Sequence, residues 1–235
     1  MVAFGWIKDK PDIRDYDARK LIYKEVPLPK AYLVDSNTLI YNQGNIPQCV
    51  AASSCGVKTD EEFTERSQRI WFDMNWLYSE CKKIDGIPNT EGTFPRIALQ
   101  VIQSQGMKRL GVCRKPDFSF KIDSYYRIDS LFTIVEVKQI IAQYGSILSA
   151  SQWPDNWMNI SSDGILPSPI ITVNSGGHAY RIDGWDDDVN GFILINSWGT
   201  SWAKKGTAIM PYDVFTSLPL AGGDVWKLVD HLGLK

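Results

Sequence analysis

Histidine is nearly missing from this chain. Of 235 residues only His178 and His231 carry an imidazole. Cysteine is sparse as well, limited to Cys49, Cys55, Cys81 and Cys113. So small a stock offers no zinc-site spacing, and no metal or other cofactor is expected. Four thiols are also few for a disulfide scaffold, which favours free or buried thiols in a reducing compartment. Cys81–Cys113 is the one pairing left open. No apolar run is long enough to span a bilayer. The N-terminus has neither the basic nor the extended apolar region of a secretory signal, so a cytoplasmic protein, or one released without a visible signal, is expected. The formal net charge is only -2. That balance gives no reason to expect nucleic acid or an anionic membrane as a partner. Internal repeats and low-complexity linkers are absent.

What is present suits a soluble protein with a real core: 44% hydrophobic and 22% charged residues,. One domain over 1–235 is expected. Residues 1–35, rich in Asp, Lys and Pro, read as an extended arm held by side chains such as Trp6 and Tyr16. After the turn signal Asn42-Gln43-Gly44-Asn45 comes a run of small and apolar residues opened by Pro47, and Pro is tolerated in a first helical turn. The run predicts a buried helix with Cys49 in its first turn. Further helices are expected over Ser67–Cys81, over Phe94–Gln105 with Gly106 as C-cap, and over Val135–Tyr144. Short β-type runs follow at Ser146–Ser151, His178–Trp185, Phe192–Ser197 and Thr207–Met210, with a hairpin connection at Asp186–Gly191. A helical first half and a strand-rich second half predict an α+β fold. Its mainly helical lobe would span 45–125 and its mainly β lobe 126–220.

With so few histidines, the search for a general base is short. His231 lies four residues from the end, where fraying is common. His178 follows Gly176-Gly177 at a strand start. A thiol in a helix's first turn, as expected for Cys49, feels the positive end of the helix dipole, which favours the nucleophilic thiolate. Cys55, deeper in the same helix, reads as inert core. The amide oxygen of Asn196 can accept an imidazole N–H, and Trp198 can shield that bond from water. The Gln43 side chain, six residues before Cys49, can join the Cys49 backbone N–H in holding an oxyanion. Taken singly, each has an ordinary structural reading: core thiol, strand-end histidine, turn asparagine, core tryptophan, solvated glutamine.

Taken together, these residues resemble the papain-like cysteine peptidases, in which His and Asn follow the Cys by about 130–150 residues. Here His178 follows Cys49 by 129 residues and Asn196 follows it by 147. Gly177-His178-Ala179-Tyr180 and Asn196-Ser197-Trp198-Gly199-Thr200-Ser201-Trp202 look like the family's His and Asn blocks, and Asn42-Gln43-Gly44 with Cys49-Val50-Ala51 resembles its oxyanion and nucleophile block. The resemblance covers roughly residues 30 to 215. It implies a two-lobed fold, with a barrel-like antiparallel β lobe and the site in the cleft. It further implies a peptide or protein substrate, endopeptidase action, a monomer, and Cys49, His178, Asn196 and Gln43 as nucleophile, base, orienting group and oxyanion donor. Gly92, Thr93 and Phe94 look like the strip that pairs with substrate backbone, and Gly177 and Trp198 complete the expected substrate contacts. Ile46 stands where the family's disulfide cysteine would be, Pro47 replaces a glycine, and Val50 replaces an aromatic. The Gly5-Trp6 and Pro11–Tyr16 leader resembles that of bacterial, archaeal and phage-type members, implying a prokaryotic or viral form without a long inhibitory prosegment. A transpeptidase or cell-wall amidase on the same triad, or an inactive binding protein, are the alternatives.

Overall fold

The computed structural model describes residues 3–35, 37–111, 116–161 and 163–230. In chain order it contains β1 (Tyr16–Asp17), β2 (Ala31–Leu33), α1 (Cys49–Arg66), α2 (Met74–Ile84), α3 (Pro95–Gln105), β3 (Ser124–Ile128), α4 (Ile134–Tyr144), β4 (Ile147–Trp153), β5 (Gly176–Asp186), β6 (Gly191–Ile195), β7 (Thr207–Pro211), α5 (Tyr212–Phe215) and β8 (Asp224–Val229). The sheet runs β1-β3-β8-β4-β5-β6-β7, and β2 pairs with β5 off that path. Every pairing is antiparallel except β1 with β3. This is the expected α+β architecture.

Local chemistry accounts for most helix ends. Pro95 opens α3, where its missing N–H is not needed, and Gly106 closes it at φ +79,. Thr133 and Glu136 form a reciprocal capping box on α4,. The helix expected over Ser67–Cys81 is corrected. Helix α1 runs on to Arg66, and Ser67 terminates it in the left-handed region at φ 56. The next helix begins only at Met74, where the Asp73 carboxylate accepts the Trp76 N–H,. Strand β8 was not foreseen. Its polar Asp224 and Lys227 break an apolar pattern, yet all six residues are buried.

Two apolar clusters fill the molecule. One joins α4 to the sheet through Ile140, Ile141, Tyr180, Trp185 and Phe192. The other joins α1, α2 and α3 to the opposite side through Cys55, Leu77, Leu99, Ile102, Leu148 and Trp226. Each large apolar side chain buried there contributes roughly 1.5–3 kcal/mol. Small residues let α1 approach β5 closely: a Cβ on Gly56 would meet the Arg181 guanidinium at 2.0 Å. The C-terminal half of α1 buries charge instead. Lys58 sits against Glu62 at 2.7 Å and against Asp230, while Lys227 of β8 reaches Glu61 at 3.1 Å.

Candidate active site

Cys49 is the first residue of α1, as the sequence predicts. Its neighbours come from both sides of a cleft. Cys49 packs in one buried cluster with Ala179, the residue after His178, and the Ala179 and Gly5 backbone N–H groups favour its charged form. His178 starts β5 and is fully buried. Its Nε2 lies 2.7 Å from Asn196 Oδ1, which also accepts the Ser197 N–H at 2.7 Å. That second donor fixes the amide with its oxygen toward the ring, so Nε2 carries the proton and Nδ1 is the free acceptor. Nδ1 has no hydrogen-bond partner. Trp153 and Trp198 pack on the imidazole with centroids 4.7 Å away. Trp198 therefore does shield the His178–Asn196 bond. The second aromatic, Trp153, was not anticipated.

Gln43 is almost wholly buried, not a solvated turn residue. Its Oε1 accepts the Ser197 hydroxyl at 2.7 Å, and its backbone N–H donates to Ser197 O at 2.8 Å. Its Nε2 is thereby turned toward the cleft and donates to two carbonyls, Ile46 O at 2.9 Å and Ala3 O at 3.0 Å. A peptide carbonyl from the chain's own N-terminus thus rests on Gln43.

That contact belongs to a longer one. Residues 3–9 lie along the cleft. Gly5 and Trp6 N–H groups donate to Gly177 O at 3.1 and 3.0 Å. On the facing side Thr93 N–H donates to Gly5 O at 2.9 Å and Ile7 N–H donates to Thr93 O at 3.1 Å. Trp6 and Thr93 form a parallel bridge. Phe4 packs edge-on to His178 and Trp198, at 6.1 and 6.4 Å. The glycines are needed for this fit. A Cβ on Gly92, itself at φ +83, would meet Gly5 O at 2.4 Å, and one on Gly177 would meet Trp6 O at 2.5 Å. Of the expected strip, Thr93 pairs with the arm's backbone and Gly92 lets Gly5 approach, while Gly177, expected as a separate substrate contact, pairs with the arm from the facing side. Phe94 caps α3 and makes no backbone bond to the arm. The arm was expected to be held by Trp6 and Tyr16; what the sequence did not reveal is that its first residues fill the cleft.

This burial sets the protonation state. Loss of water pushes the Cys49 thiol up to about 11, against the backbone hydrogen bonds that oppose it,. It pushes His178 down to about 4, despite the Asn196 bond. With the arm in place, burial favours the neutral thiol and the neutral imidazole. Burial thus works against the thiolate that the helix dipole favours,. Cys55 and Cys81 are free, buried and also raised by burial, as expected of core thiols. Cys113 and His231 lie outside the described residues. Among the described residues one acidic group, Glu62, Glu65 and Asp230, is tight enough to hold a cation. Lys58 already sits against Glu62 and Asp230.

No protein-family model matches the chain. Over 85 residues it is 28% identical to cathepsin B-like cysteine proteinase 3 of Caenorhabditis elegans, a match spanning 35% of this chain and 22% of that relative's length. It is 23% identical to an uncharacterised peptidase C1-like protein of Acanthamoeba polyphaga mimivirus, across 95% of this chain and 85% of that one. Among solved structures, xylellain, a cysteine protease of Xylella fastidiosa, superposes with a TM-score of 0.80 at 23% identity, covering 98% and 97% of the two chains. A procathepsin B of Trypanosoma congolense superposes with a TM-score of 0.70 at 15% identity, covering 98% and 87%. Among the described residues no helix is long and apolar enough to cross a membrane. Sequence blocks, sheet topology and structural likeness converge: the chain has the fold of the papain-like cysteine peptidases.

Proposed function

We propose that the protein is a cysteine peptidase whose cleft is occupied, in this fold, by its own N-terminal arm. One observation carries the reading: a thiol at a helix start lies against the strand that bears a histidine, and that histidine's far nitrogen is fixed by Asn196 inside an aromatic cage. When a peptide replaces the arm and water reaches the pair, the proton moves from Cys49 Sγ to His178 Nδ1. The thiolate attacks the scissile carbonyl carbon, and electrons move onto its oxygen. Gln43 Nε2 and the Cys49 N–H hold that oxyanion, where Ala3 O now touches Gln43,. His178 returns its proton to the leaving amine, and a thioester remains. Water, deprotonated by the same nitrogen, then releases the acid and restores the thiol. Asn196 keeps the tautomer throughout.

The arm's contacts resemble those of an extended peptide, because the same Thr93 and Gly177 backbone edges are filled. Turnover therefore requires residues 3–9 to leave. The test is labelling with an epoxide inactivator at neutral pH followed by peptide mapping, with Cys49→Ala, His178→Ala and Cys55→Ala variants. Selective labelling at Cys49 that falls without His178, accompanied by cleavage of peptide substrates, supports the reading. Equal, slow labelling of every thiol overturns it. Cleavage in the presence of an added amine separates hydrolysis from acyl transfer to that amine.

A further inference from the structure

Three adjacent strands set one residue each in a single row across the cleft floor. Ala179 of β5 is the register partner of Ala150 of β4, which is the partner of Asp224 of β8. Two methyl groups leave the row open, and a fully buried carboxylate closes it. Trp6 fills this space. Thr93 grips the backbone on either side of it, through Gly5 O and Ile7 N, and the indole Nε1 donates to Asp224 Oδ2 at 2.8 Å. The Asp9 N–H donates to the same oxygen at 2.8 Å. Arg127 lies 2.7 Å from the other oxygen.

The arm supplies both donors to Oδ2, so its departure leaves a buried acceptor unpaired, which is costly. Arg127 stays and already balances the Asp224 charge. A flat apolar side chain carrying one N–H refills the site. A phenyl ring fits but leaves the oxygen bare. A guanidinium or ammonium brings a second cation beside Arg127. Resting on the peptidase reading, we propose that Asp224 is a specificity-determining residue. It makes the cleft select a tryptophan side chain in the substrate where Trp6 now lies, over phenylalanine, leucine and arginine.

The test uses the full chain carrying Trp6→Ala, which loosens the arm. Fluorogenic peptides place Trp, Phe, Leu or Arg at each of the three positions before the cut. The expected result is one position at which Trp exceeds Phe by about tenfold or more in kcat/KM. Asp224→Asn, whose amide oxygen Arg127 retains while its N–H₂ faces the pocket, should reduce that ratio to within about twofold. Asp224→Ser provides a second variant should the first not fold. Equal rates for Trp and Phe, a preference for Arg, or a Trp preference that survives both substitutions overturns the proposal. The same peptides are titrated calorimetrically into full chain carrying Cys49→Ala and Trp6→Ala. Asp224-dependent tightening by Trp without any turnover in the parent supports the pocket and sinks the peptidase reading. Equal binding of Trp and Phe peptides sinks the pocket.

Discussion

Helix α1 is buried from Cys49 to Glu62, yet its two halves are buried to opposite ends. The first half, Cys49 to Val57, is small and apolar apart from Ser53 and Ser54, and its start is covered by Gly5 of the arm. The second half carries Lys58, Asp60, Glu61 and Glu62, all buried, with partners in the body of the protein such as Lys227 and Asp230. Charge at one end is held by fixed ion pairs. Charge at the other end is disfavoured by a segment held through backbone bonds to Thr93 and Gly177 and through the Trp6 bond to Asp224. Burial by the body builds the fold, and burial by the arm is, on the proposed reading, reversible.

The sharpest way to break this comparison is one substitution in each half. Cys49→Ala should lower kcat/KM by at least about 10³-fold, read with a fluorogenic peptide, and cost no more stability in urea than about 1 kcal/mol,. Lys58→Ala should do the reverse. It strands Asp230 and leaves Glu62 with only the more exposed Arg66, so unfolding in urea should show a loss of about 3–5 kcal/mol, with activity per folded molecule retained,. A Lys58→Ala protein of undiminished stability would refute the division of labour.

A smaller effect is expected when the arm alone is loosened. Trp6→Ala should raise the alkylation rate of Cys49 about tenfold, since the indole's charge-assisted bond to Asp224 is lost,. Cys55, six residues along the same helix, should not change. If both thiols accelerate, the whole lobe has opened and the arm is not a separate cover.

The arm should also respond to pH. Burial, and then the nearby Asp224 carboxylate, raise Asp9 to about 7, against Arg96 and Arg127. Trp226 Nε1 faces the same carboxylate at 3.1 Å. The docked arm holds a proton that the free arm releases near 4, so docking is firmest in acid and weakens as pH rises through that interval. Alkylation of Cys49 should climb more steeply from pH 4 to pH 7 in the parent than in Asp9→Asn. Parallel profiles would remove Asp9 from the account. The smallest expected effect is that of Cys55→Ala, roughly 1 kcal/mol of stability with no change in turnover.

Much of this was legible in the residues. Pro95, Gly106 and Gly145 mark helix ends by backbone chemistry that acts locally. Cys49, His178, Asn196 and Gln43 stand out because histidine is scarce and the spacing is distinctive. Ser67 misled because a polar residue before a helix and one after it look alike until φ is known. Asp224 and the arm's seat in the cleft were hidden for a different reason. Trp6 meets Thr93, Gly177 and Asp224 only after three distant segments have come together, and no local pattern encodes that.

The loops around Gln43 and Asn196 are stitched directly to each other. Gln43 N–H meets Ser197 O, Gly199 N–H meets Tyr41 O, and the Ser197 hydroxyl meets Gln43 Oε1. The Thr93 and Gly177 edges, by contrast, are bridged by residues 5–7. In mechanical terms the cleft is a hinge whose knuckle is permanent and whose clasp is detachable. On the proposed reading, undocking residues 5–7 removes the bonds that join the Thr93 and Gly177 edges, while those that join the Gln43 and Asn196 loops remain.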